Sequence, residues 1–131
     1  MTITPNQVLD MHWSNDQELY HAVLAYGAWV LNRVPSMTNQ TLGRNVRDNL
    51  QRWADEGQVT RLGWGPDHYP AVAYGVLNAM DREVEWRAVT EDELGADVRE
   101  ALEVDRLATT DYMNSQTFVW YLRRGEDGKA W

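Results

Sequence analysis

The chain has 131 residues, a formal charge of −8 and an apolar fraction of 44%. That length suits one domain, and that apolar content suits a folded, soluble one. The acidic balance excludes a uniformly basic nucleic-acid-binding body, and the lack of cysteine excludes disulfides, thiolate metal sites and thiol nucleophiles.

No apolar run approaches the length of a membrane span, and Met1 to Asn6 lack the basic-then-apolar pattern of a secretion signal, so a cytoplasmic location is expected. Seven tryptophans are dense for this length, and filling a small core with large rings is the simplest use for them. Charge is uneven. Residues 78–131 hold thirteen of the twenty acidic residues against seven of the twelve basic ones, and the basic residues of the first half all lie between Arg33 and Arg61.

Thr4-Pro5 predicts a helix start, running to about Trp13 with Val8, Leu9 and His12 on one side. Ser14 or Asn15 is expected to cap a second helix, with Asp16 and Glu18 in its first turn. From Leu19 to Leu31 nearly every position is apolar, which marks a central helix or one that buries a second face in a partner chain. Tyr26, Trp29 and Val30 are candidates for the core or for a homodimer face, and Pro35 ends the helix. Ser36 to Gly43 reads as a polar turn. Val46, Leu50 and Trp53 then recur at helical spacing and predict an amphipathic helix over 42–56, stopped by Gly57.

Gln58 to Leu62 alternates as a strand, Gly63 to Asp67 is a turn cluster, and Tyr69 to Val76 is rich in β-formers. Val84, Trp86 and Ala88, alternating with charged residues, predict a further strand. Thr90 and Glu93 predict a capping box opening a helix to about Arg106, and Thr117 to Leu122 a last strand.

The run Leu42-Gly43, Val46-Arg47, Leu50, Trp53, Glu56-Gly57, Val59, Arg61 and a Gly-rich turn ahead of Tyr74 resembles the winged helix-turn-helix family. The resemblance covers about residues 16–77, most specifically 41–76. It departs from the family at 34–41, which leave little room for the supporting helix. With the strand, helix and strand read from the C-terminal residues, it leads to an expected α+β fold: residues 1–77 a helical layer plus a winged-helix core with a two-stranded wing, and residues 78–131 an acidic β-α-β extension on the same domain. It also implies a small DNA-binding regulatory protein, transcriptional or phage-type, with double-stranded DNA as partner and helix 42–56 in the major groove. Arg44, Asn45, Arg47, Gln51 and Arg52 would face the bases, and Arg61 and His68 of the wing the backbone.

The alternative lies in the acidic helix 91–105. Asp92, Glu93, Asp97, Glu100, Glu103 and Asp105 could bind a basic protein or imitate DNA phosphates, as an inhibitor of a nucleic-acid-processing or host-defence complex. Catalysis has little support. His12, His21 and His68 lack metal-ligand spacing, and neither a nucleophile elbow nor a phosphate-cradling glycine loop is present. No catalytic residue, cofactor or metal is expected.

Overall fold

Thr4 opens the first helix, α1 (Pro5–Asn15), with a reciprocal cap. Its hydroxyl accepts from the Gln7 N–H at 3.2 Å, while its own N–H donates to Gln7 Oε1 at 2.9 Å. The computed structural model describes residues 2–57 and 74–105. Ser14 does not cap the next helix, because its hydroxyl is spent on the Asp10 carbonyl inside α1. Asp16 leaves the helical conformation instead and caps α2 (Gln17–Arg33), accepting from the Leu19 N–H at 2.9 Å.

Helix α2 is the central element. Leu19, Ala22, Val23, Leu24, Ala25 and Val30 are buried, and the helix packs against α1, α3 and α5. Val34, forced out of helical geometry by Pro35, ends it. Thr38 then caps α3 (Asn39–Glu56) through its hydroxyl, so residues 39–43 are helical and not the expected turn. Leu42, Val46, Leu50 and Trp53 form its buried stripe, and Gly57 ends it at φ 67°.

Helix α4 (Tyr74–Glu83) buries Leu77 and Met80 against α3 and α1. A connector containing one 3-10 turn (Trp86–Ala88) leads to α5 (Glu91–Val104), which packs most extensively on α3. The contact is close because Gly43 and Gly95 let the two backbones approach. Among the described residues no helix is long and apolar enough to cross a membrane.

These observations correct the α+β expectation, and with it the winged helix: the described residues form five α-helices and no strand. Tyr74 to Val76, the end of the expected second wing strand, open α4. Leu77 and Met80 must both reach the core, and only helical spacing puts them on one face, so burial outweighs β-propensity. The expected strand at Val84, Trp86 and Ala88 is the end of α4 and the connector. Its alternation reflects Val84 buried, Trp86 half-buried and Ala88 exposed along a short link between two helices. That also removes the described first strand of the expected β-α-β extension. The strands expected at 58–62 and 117–122 lie outside the described residues.

The Thr90–Glu93 capping box is not formed either. Thr90 is the N-cap of α5, but its side chain makes no capping bond. Asn6 of α1, itself buried, binds the Thr90 backbone at both ends. It accepts from the Thr90 N–H at 2.7 Å and donates to the Thr90 carbonyl at 3.0 Å.

Candidate functional site

The two surfaces singled out by the sequence lie on α3 and α5, helices that pack on each other. On α3, Arg44 and Arg47 turn toward the start of α5 and converge on Glu91. Arg44 Nε lies 3.2 Å from Glu91 Oε2, and Arg47 Nη1 lies 2.9 Å from Glu91 Oε1. Arg47 also forks onto Asp48 through Nε and Nη2, at 3.2 and 3.1 Å. Burial opposes ionisation of Glu91, but the charges of Arg44 and Arg47 outweigh it and hold the carboxyl below its ordinary 4.5.

Asn45 is likewise engaged within its own neighbourhood, donating to the Thr41 carbonyl at 3.0 Å and lying 3.7 Å from the Met37 sulfur. Gln51 is half-buried and Arg52 exposed. The first half of α3, where a recognition helix would meet base edges, therefore has α5 against it, and its two arginines are already matched by carboxylates. Arg61 and His68 lie outside the described residues.

Beyond Glu91, the acidic residues at α5 divide into three groups. Asp92, Glu93, Glu100 and Glu103 are exposed and form no ion pair among the described residues. Asp97 is half-buried and neighbours Asp10 of α1, a residue that sequence reasoning did not include. Asp105, the C-cap, meets the Tyr20 hydroxyl; burial first, then Asp105, pushes that hydroxyl up to about 12. The Tyr20 ring stacks on Trp13 at 5.7 Å.

Asp10 is itself pushed up from 3.8 to about 7. Burial contributes most and the hydrogen bond with Asp97 next; the Trp13 indole, donating to Asp10 at 2.9 Å, opposes them. The charges of Asp97 and Glu93 add to the upward push. Asp10 therefore keeps its proton well above the ordinary carboxylate range. No local pattern marks this pair, because Asp10 and Asp97 meet only when α1 lies on α5.

Elsewhere, Ile3, Val8, Met11, Val76 and Ala79 line a mainly apolar groove of about 620 Å³ between α1 and α4, bordered by the His12–Glu83 contact at 2.9 Å. Among the described residues no group of three or more His, Asp or Glu is placed to hold a metal ion. Of the candidate core or dimer residues, Val30 is buried and Tyr26 and Trp29 are half-buried. Tyr26 packs edge-on to Trp53 at 6.2 Å, and Arg33 lies over Trp29 at 5.1 Å.

Comparisons with protein-family models, curated proteins and solved structures gave no match for this chain.

Proposed function

We propose that this chain is a non-enzymatic acidic interaction module. It binds a basic protein surface, of the kind that otherwise receives nucleic-acid phosphates, through the outward side of α5. One observation carries the reading. Asp92, Glu93, Glu100 and Glu103 stand exposed and unmatched by cations among the described residues, while Arg44 and Arg47 of α3 are closed onto Glu91. Unmatched like charges along one helix repel one another, and an arginine-rich surface relieves that repulsion. The net charge of −8 adds long-range attraction to a cationic partner.

The test is a salt-dependent anisotropy titration of the full chain with a labelled arginine-rich peptide, run beside a labelled DNA duplex. Neutralising Asp92, Glu100 and Glu103 (to Asn, Gln and Gln) should weaken peptide binding about tenfold, as expected for three exposed charge contacts at ~0.5 kcal/mol each. A control that neutralises Glu18, Glu83 and Glu85 to Gln should weaken it much less. Equal losses from both variants would reduce the binding to net charge and remove α5 from the account. Duplex binding lost in Arg47→Ala/Arg52→Ala would instead put the working surface on α3.

A further inference from the structure

A second feature, rich in N–H donors, lies where α3 and the 3-10 turn line a common cavity. Arg47, Gln51, Trp86 and Arg87 line a cavity of about 370 Å³, within the range of small-molecule sites, roughly 300–1,000 Å³. All four side chains carry N–H donors, and no carboxylate lines the cavity.

Arg47 is held rigidly by its bonds to Asp48 and Glu91, which use three of the five N–H groups of a guanidinium. The remaining donors are thus fixed in place without further ordering. Gln51 follows one helical turn later on the same face. Arg87 is exposed and makes no ion pair among the described residues, so its charge is unopposed. The Trp86 indole N–H is buried and has no hydrogen-bond partner among the described residues. Buried side-chain atoms of Asn49, Trp53 and Arg99 share that state, but none of those residues lines this cavity.

We propose that this cavity binds a phosphate group, free or carried by a small molecule. A phosphate presents enough acceptor oxygens to meet two guanidiniums and an amide together. A carboxylate, with two oxygens, leaves donors unmatched. The site is separate from the outward side of α5 and stands or falls apart from the interaction reading above.

The test uses the full-length ¹⁵N-labelled protein and the Trp86 indole resonance, identified by its disappearance in Trp86→Phe. Inorganic phosphate and adenosine 5′-monophosphate are titrated separately to about 10 mM, enough to saturate a site with Kd near ~1 mM. A saturable shift of that resonance, weakened about tenfold or more in Arg87→Ala, is the expected result. Equal affinity for the two probes identifies the phosphate itself as the ligand, and tighter binding of the nucleotide identifies a phosphate ester. No saturable shift with either probe overturns the proposal, as does a shift that Arg87→Ala leaves unchanged.

Discussion

Gly43 of α3 and Gly95 of α5 meet where the two helices cross, and neither position has room for a side chain. A methyl group added at Gly43 would overlap the Glu91 carbonyl and come within 2.9 Å of the Gly95 nitrogen; one at Gly95 would overlap the Asn39 carbonyl. The obstacle in each case is backbone, so relief requires moving a helix. This crossing also brings the first turn of α5 under Arg44 and Arg47 and allows Glu91 to reach both.

Gly43→Ala and Gly95→Ala should each destabilise the fold by about 1–3 kcal/mol, the usual cost of overpacking, even though helix propensity alone would favour alanine by about 1 kcal/mol. Gly75→Ala provides the opposite sign. Its added methyl meets nothing within 4 Å, and a gain of up to ~0.5–1 kcal/mol is expected in α4. Urea unfolding of the three variants measures the contrast, and a stabilised Gly43→Ala would refute the close crossing.

Asn6→Ala should cost about 1–3 kcal/mol, because it strands the Thr90 N–H and carbonyl that Asn6 now satisfies. Asn6→Asp, protonated at low pH, keeps an acceptor and one O–H donor and should lie between alanine and wild type there; on ionising it loses the donor that faces the Thr90 carbonyl. Thermal unfolding ranks the three, and amide exchange in the first turn of α5 should speed up most in the alanine variant.

The raised pKa of Asp10 sets a pH dependence of definite sign. Folding favours its protonated form, so this group's contribution is fully present below the unfolded value near 3.8 and is lost as pH rises toward about 7. Asp10→Asn should therefore gain on the wild type across that window and keep its advantage above it. Denaturant midpoints at acidic, neutral and mildly alkaline pH test this. Parallel curves for the two proteins would contradict the raised pKa of Asp10.

Glu91 acts in the opposite direction. Its carboxyl is held below 4.5 by Arg44 and Arg47 despite the opposing effect of burial, so its contribution is present above that value and lost as pH falls through the lowered folded value. Glu91→Gln should flatten the acid limb of the stability curve and leave the loss toward pH 7 that Asp10 causes unchanged. A variant that retains the full acid limb would show that the Arg–Glu–Arg contact contributes no measurable stability.

The helices with strong local signals lie close to where their residues predict them. Thr4-Pro5 starts α1, the apolar run at Leu19 to Leu31 is the buried centre of α2, Val46, Leu50 and Trp53 face the core, and Gly57 stops α3. The errors occur where short segments have two readings. Tyr74 to Val76 favour a strand by composition, and only Leu77 and Met80 packing on α3 and α1 make them helical. Gly43 looks like a turn residue until Gly95 is seen against it.

The candidate surfaces divide in the same way. Arginines on the polar side of α3 and carboxylates on α5 are legible as lists, since helical spacing alone assigns them to a face. Their charge state and partners are not legible, because Glu91 lies forty-four residues from Arg47 and Asp97 pairs with Asp10 from the other end of the chain. Local propensity, capping and periodicity act within one or two turns, so the sequence by itself determined α1, α2, most of α3 and α5, their buried stripes and the acidic character of the C-terminal half, but not α4. Which charges are cancelled and which stay exposed depends on contacts between distant segments. Those were decided only when α5 settled into the glycine crossing on α3.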